Sequence, residues 1–150
     1  MKKVIIPILV AVACFSLLSC KKDSDEPENI ITKTVTLSGA QEVPAVTTNA
    51  TGTMNLTYNK DTKKLDWTVT WSNLSSNSTM AHFHGPASPT TTAPAVVVFT
   101  NFPTTSTSGT YNGTITLDAT TEAPLLANQW YVNIHSQNFP AGELRGNIIF

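Results

Sequence analysis

The sequence predicts an all-β domain, a Greek-key β-sandwich of about seven to nine antiparallel strands. Thr, Ser and Asn supply 48 of the 150 residues and charged residues only 13%, a composition that suits strands better than helices. Apolar and polar residues alternate along several segments, as at Met54, Leu56 and Tyr58. Such alternation indicates strands with one buried face, and no segment shows a convincing helical period.

The N-terminal segment predicts export and a lipid anchor. Two lysines precede an apolar run over residues 4–18, which is too short to cross a bilayer comfortably and is typical of a signal peptide. The run ends in Leu-Leu-Ser-Cys at residues 17–20, which resembles the lipobox of bacterial lipoproteins, in which the cysteine thiol is acylated. We therefore expect residues 1–19 to be removed and Cys20 to be lipidated; an ordinary secretory signal with a chance cysteine is the alternative.

Residues 20–30 predict a disordered tether, because the stretch KKDSDEPEN has no apolar residue to bury. The folded domain is then 31–150. The acidic residues of the tether resemble the patch that follows the lipidated cysteine in surface-exposed lipoproteins of some Gram-negative bacteria, although a plain solvated spacer explains them equally well. We expect the protein in the bacterial cell envelope, lipid-anchored to the outer membrane, with exposure at the cell surface as a further expectation.

Two consecutive segments with clear alternation are predicted to form a hairpin. The runs at 54–58 and 65–71 are separated by a polar turn at 59–63, so they should pair antiparallel. Pro-rich or Thr-rich segments join the remaining strands. Those strands are predicted at 34–38, 80–85, 95–100, 110–117, 129–136 and 143–150.

Three histidines form a candidate metal site. His82 and His84 lie two apart in a predicted strand, so both imidazoles face the same side. His135 follows Val132 and Ile134, which should lie in the core, so it turns to the outer face. If the two strands are neighbours, the ring nitrogens should lie within about 3 to 5 Å of one another, as copper or zinc requires. The alternative is that each imidazole hydrogen-bonds to a backbone or hydroxyl group.

The C-terminal strand carries Arg145, the only arginine of the chain. Alternation places Leu144 and Ile148 inside and both Glu143 and Arg145 outside. An arginine near histidines would steer an anion. A structural contact of Arg145 with Glu143 or Asn133 is the plainer account and the one we prefer.

Charge and missing motifs exclude several function classes. With a net charge of −1, nothing attracts a phosphate backbone, so we expect no nucleic-acid binding. Cys14 and Cys20 both lie in the leader or at its end, so we expect no disulfide framework and no thiolate metal cluster. The sequence has no Gly-x-Ser-x-Gly elbow and no phosphate-binding glycine-rich loop, which leaves hydrolase and nucleotide-binding functions without support.

Four motifs lie in order along the domain: LSGAQEVP at 37–44, AHFHGPA at 81–87, WYVNIH at 130–135 and GELRGNI at 142–148. Together they resemble the CHRD domain, which is named for the developmental protein chordin, over about residues 34–150. The resemblance implies an all-β domain that is common as a single copy in exported bacterial proteins. Its biochemical role is largely undefined, and in chordin it accompanies extracellular growth-factor binding.

A weaker resemblance is to the Cu/Zn superoxide dismutases, which are also β-sandwiches. In that family a His-x-His strand and a later histidine bind copper, and an arginine near the C-terminus guides the anion. The matching positions here are His82, His84, His135 and Arg145. Residues 86–94 contain no His, Asp or Glu, so the dismutase zinc loop has no counterpart, and the disulfide of that family is also missing. What remains of this resemblance implies a site that binds copper alone, through the three histidines.

The function predicted from the sequence is a non-catalytic binding or interaction module at the cell envelope. Its partner would be the membrane, through the lipid anchor, and an unidentified extracellular or periplasmic protein or small ligand. The alternative is a copper-binding protein, or an oxidoreductase similar to superoxide dismutase, that uses the three histidines. The sequence supplies no complete catalytic set, so we lean against an enzyme.

Overall fold

Eight antiparallel strands form the framework of residues 29–150, the part of the chain that the computed structural model describes. This confirms the predicted all-β class and strand number. The predicted signal peptide, both cysteines and all of the tether but its last two residues lie outside the described residues. The strands are β1 Ile30–Ser38, β2 Thr51–Asn59, β3 Lys64–Ser72, β4 Ser78–His84, β5 Ala95–Val98, β6 Gly109–Thr116, β7 Trp130–Ser136 and β8 Leu144–Ile148.

The strands form one curled sheet in the order β5-β4-β7-β8-β1-β2-β3-β6. Its weakest junction joins β8 to β1 through the single register pair Ser38 and Arg145, whereas β2 pairs with both of its neighbours along its whole length. The two halves of the sheet face each other, because Trp67 on β3 packs against Phe83 on β4 with ring centroids 4.9 Å apart. The sheet therefore encloses one core between two layers, as predicted for a sandwich.

The predicted alternation places the core side chains correctly on β2 and β3. Met54 and Tyr58 are fully buried, and the polar residues between them face solvent. The turn between the two strands forms because Asn59 Oδ1 accepts from the backbone N–H of Asp61 and of Thr62, both at 2.9 Å. Lys63 then adopts φ 59° before β3 begins, and the hairpin closes as predicted.

Two tryptophans of β3 close the side of the core next to the edge strand β6. Trp67 lies opposite Gly113, and Trp71 opposite Gly109, in the β3–β6 register. A Cβ atom on Gly113 would lie 2.2 Å from Cζ2 of Trp67, and one on Gly109 would lie 2.7 Å from Cζ2 of Trp71. Each indole therefore lies across a glycine backbone, which accounts for glycine on the core face of this strand.

One helix, α1 at Ala119–Leu126, was not predicted. Asp118 caps it by accepting from the backbone N–H groups of Thr120 and Thr121 at 3.0 and 2.9 Å. Only Leu125 of the helix is buried, so the segment has no apolar stripe for a periodicity argument to detect. Within residues 29–150, no helix has the length and apolar character needed to cross a bilayer.

Candidate metal centre

The three histidines meet on the outer face of the layer formed by β4 and β7. These strands are antiparallel neighbours, with His82 opposite Asn133 and Met80 opposite His135. One ring nitrogen from each histidine lies within 4.8 Å of the other two, so the arrangement predicted from strand alternation is present. His82 and His84 are half-buried and His135 is only 6% exposed. The histidine cluster, defined as His82, His84 and His135, is thus recessed rather than lying on an open surface.

The closest pair in the cluster is His82 and His135, whose Nδ1 and Nε2 atoms are 3.1 Å apart. The Nδ1 atom of His135 lies 2.8 Å from the carbonyl oxygen of Pro140. A carbonyl oxygen only accepts, so Nδ1 of His135 carries the proton of the neutral ring and Nε2 presents a lone pair to the cluster. A backbone carbonyl on the other ring nitrogen is also what commonly orients a metal-binding histidine.

His84 is oriented in the same way by the loop that follows β4. Its Nδ1 atom lies 2.8 Å from the carbonyl oxygen of Ala93, and its Nε2 atom lies 3.0 Å from Oδ1 of Asn133. The Ala93 carbonyl oxygen only accepts, so Nδ1 of His84 donates to it, and Nε2 is the nitrogen that faces Asn133 on β7. The loop and β7 thus hold the His84 ring from two sides.

A stack of side chains fixes the plane of the His84 ring. Tyr131 on β7 lies parallel to it, with ring centroids 4.7 Å apart and an angle of 2° between the planes. The Tyr131 hydroxyl lies 3.3 Å from both the N–H and the carbonyl oxygen of Ala93. On β8, Arg145 places its guanidinium carbon 3.6 Å from the centre of the Tyr131 ring, a cation–π contact. Three strands and one loop thus hold one imidazole.

The protonation of the cluster favours the form that binds metal. Burial, followed by the neighbouring charges of His135 and His84, lowers the pKa of His82 to about 4. Burial also lowers the pKa of His135, although the Pro140 carbonyl opposes this. Both rings are therefore neutral at pH 7, and neutral imidazole is the metal ligand.

Glu143 and Arg145, which were predicted to lie on the outer face, are both fully buried. Arg145 does lie on the face opposite the core, but the loop after β4 covers it: its Nη2 atom donates to the Ser88 carbonyl oxygen at 3.3 Å. Nε and Nη2 also donate to Oδ1 of Asn147 at 3.2 and 3.1 Å. Burial lowers the pKa of Arg145 from its ordinary value. These contacts are structural, and the steering of an anion by Arg145 stays a prediction.

Glu143 ties three segments together instead of pairing with Arg145. Its Oε1 atom accepts from the Thr48 hydroxyl at 2.6 Å and from the Ser75 N–H at 2.8 Å, and Oε2 accepts from the Ser75 hydroxyl at 3.1 Å. Burial raises the pKa of Glu143, but hydrogen bonds from Ser136, Thr48 and Ser75 outweigh it and hold the pKa below its usual value. The carboxylate is therefore charged, and both of its oxygens accept hydrogen bonds.

Sequence reasoning did not single out Glu42, which lies beside this layer. Its side chain is 8% exposed, and its Oε1 atom is buried without a hydrogen-bond partner. Burial raises the pKa of Glu42 to about 7, while the charge of Arg145 and the Val43 backbone N–H act in the opposite direction. The only sequence signal at Glu42 is its place in the motif at 37–44.

Comparison with known proteins decides the family. The CHRD domain model matches residues 33–148, which include all of β4, β7 and β8. The chain belongs to the CHRD family. No curated protein and no solved structure matches the chain. The histidine cluster thus lies entirely within the CHRD domain, on two of the four motifs by which the sequence resembled that family.

Proposed function

We propose that this protein is a non-catalytic binding module of the cell envelope and that its CHRD domain binds a copper ion through His82, His84 and His135. The observation that carries the proposal is the placement of three ring nitrogens within 4.8 Å of one another. The proposal refines the binding or interaction role that the family suggests. A further protein or small-ligand partner stays a prediction.

The distances in the cluster suit one ion after a small adjustment. Two nitrogens 3.1 Å apart, each at about 2.0 to 2.1 Å from a metal ion, subtend an angle of roughly 100° at that ion. Nitrogens bound to one ion lie at most about 4.2 Å apart, the limit for a linear arrangement, so the longest separation of 4.8 Å has to shrink by at least about 0.6 Å.

The ligand set favours copper over other metals. Imidazole binds Zn, Cu, Fe and Ni, and among divalent ions the affinity of a nitrogen site is highest for copper. Neither a carboxylate nor a thiolate joins the cluster among the described residues, which disfavours calcium, magnesium and iron–sulfur chemistry.

Titration with Cu(II), combined with metal analysis of the purified chain, tests the copper site. The parent for all titrations carries Cys14→Ser and Cys20→Ser, because free thiols bind copper strongly and would hide the histidine site. We expect one equivalent of copper to bind, and replacement of all three histidines by Ala to abolish binding. Asn55→Ala, on the outer face of the other layer, is the control. Copper binding that survives the triple replacement would overturn the proposal.

We further propose that Cys20 is lipidated and anchors the protein to the outer membrane, in accord with the Leu-Leu-Ser-Cys order at 17–20. Several acyl chains on one residue hold a protein on a membrane stably. Cys20→Ala should move the protein from the membrane fraction to the soluble fraction, whereas Cys14→Ala, inside the leader, should not. If the Cys20 variant is processed and yet remains with the membrane, the anchor lies elsewhere.

A further inference from the structure

We infer that Met80 supplies a fourth ligand to the histidine cluster and makes it a site for Cu(I). This inference rests on the copper site proposed above. Met80 lies two residues before His82 on β4, so strand alternation turns its side chain to the same outer face as His82 and His84. In the β4–β7 register it lies directly opposite His135. Opposed residues of antiparallel strands have Cβ atoms about 4.5 to 5.5 Å apart, which a methionine side chain can span.

The exposure of Met80 is unusual for its residue type. The side chain is 45% exposed, and it is one of only four large hydrophobic residues that are exposed among residues 29–150. Met54, the other methionine in this part of the chain, is completely buried in the core. Core packing therefore accounts for Met54 but gives no reason for a thioether at position 80. A flexible, accessible thioether beside three imidazoles is well placed to bind the same metal ion.

The added sulfur decides which metal the site prefers. A thioether is a soft ligand that selects Cu(I), whereas Zn(II) in proteins is bound by thiolate, imidazole and carboxylate. Imidazole and thioether ligands bring no negative charge, which favours the monovalent ion over divalent ones. The set Met80, His82, His84 and His135 therefore fits Cu(I), and three of its four members lie on the single strand β4 in the order Met-x-His-x-His.

Competition with a chromophoric Cu(I) chelator under anaerobic conditions tests the inference on the full chain with Cys14→Ser and Cys20→Ser. We expect Met80→Leu, which keeps the volume but removes the sulfur, to weaken Cu(I) binding about tenfold or more and to leave Zn(II) affinity unchanged. Met54→Leu removes a thioether from the core and should leave both affinities unchanged. An unaltered Cu(I) affinity in Met80→Leu would overturn the inference.

Selenomethionine labelling gives a readout that a merely structural role of Met80 would not produce. X-ray absorption at the copper edge of the labelled Cu(I) protein should show a selenium neighbour that is retained in Met54→Leu and lost in Met80→Leu. If copper depends on the histidines but shows no selenium neighbour, this inference fails and the three-histidine site stands. If the parent binds no copper at all, both fail.

Discussion

The Nδ1 atom of His82 lies 3.1 Å from the Nε2 atom of His135, across the two neighbouring strands β4 and β7. This contact joins residues 53 positions apart in the chain, and it exists because each strand turns its histidine away from the core. The Pro140 carbonyl keeps the proton on the far nitrogen of His135. The cluster thus has one ligand whose lone pair is already aimed at the site.

Removal of that ligand should therefore reduce copper binding strongly. We expect His135→Ala to weaken copper affinity by about 100-fold or more. The cost in folding free energy should stay near 1 kcal/mol, from the lost hydrogen bond to Pro140. Chelator competition and urea unfolding measure the two effects separately. A variant that binds copper as tightly as the parent would remove His135 from the ligand set.

Tyr131 should matter for the orientation of His84 as well as for stability. Tyr131→Leu removes both the stack on His84 and the cation–π contact with Arg145. It should lower the unfolding free energy by about 2 kcal/mol and copper affinity by about tenfold. Tyr131→Phe keeps the ring and loses only the hydroxyl contacts with Ala93. The losses in unfolding free energy and in copper affinity should therefore both be smaller than in Tyr131→Leu. Equal copper affinity in the Leu and Phe variants would show that the stack does not orient His84.

Glu143 should contribute to stability through its hydrogen bonds. Glu143→Ala removes the acceptor of two part-buried hydrogen bonds, from the Ser75 N–H and the Thr48 hydroxyl, and we expect a loss of about 2 kcal/mol in urea unfolding. The pKa of Glu143 is lowered in the folded state, so its contribution is present above the unfolded pKa and declines as pH falls through the folded one. Asp66→Asn, which breaks an exposed ion pair with Lys64, should cost under about 1 kcal/mol.

Strand alternation predicted the positions of the histidines because it is a local property. His82 and His84 are two residues apart and therefore share a face. His135 directly follows Ile134, which lies in the core, and therefore takes the opposite face. The face of each ring thus depends only on its own strand. The pairing of β4 with β7 is not local, and it entered the prediction only as a condition. Composition and alternation predicted the all-β class, and the turn at 59–63 predicted one pair of neighbouring strands, but no sequence pattern pairs strands as far apart in the chain as β4 and β7.

The burial of Arg145 could not be predicted from alternation. Its face of β8 was predicted correctly, but the contact with Ser88 depends on a loop 57 residues away whose path the sequence does not specify. Helix α1 was missed for a different reason: its single buried residue, Leu125, produced no helical period.

Glu42 should make stability depend on pH in the opposite direction to Glu143. Its folded pKa is raised from 4.5 to about 7 by burial, with the charge of Arg145 acting against this shift. The folded state therefore favours the protonated carboxyl, and the stability this gives is complete below about pH 4.5 and lost as pH rises through about 7. Glu42→Gln removes the titrating carboxyl group. The unfolding free energy of this variant minus that of the parent should therefore rise by on the order of 2 kcal/mol between pH 5 and pH 8.

Urea unfolding of the parent and of Glu42→Gln at several pH values measures this effect. The difference between the two proteins is the relevant quantity, because His82 and His135 have lowered pKa values and titrate in an overlapping range with the opposite sign. A difference that does not change between pH 5 and pH 8 would show that Glu42 keeps an ordinary pKa.

The glycine opposite Trp67 should be intolerant of any side chain, although alanine suits a strand better than glycine does. A Cβ atom at position 113 would lie 2.2 Å from Cζ2 of Trp67, so Gly113→Ala forces the indole or the edge strand β6 to move. We expect a loss of about 1 to 3 kcal/mol in urea unfolding. Thr114→Ala, whose side chain faces solvent on the same strand, should change stability by under about 1 kcal/mol. Trp67→Leu makes room for the new methyl group, so Gly113→Ala should cost less in that background than in the parent, and an equal cost in both would contradict the steric explanation.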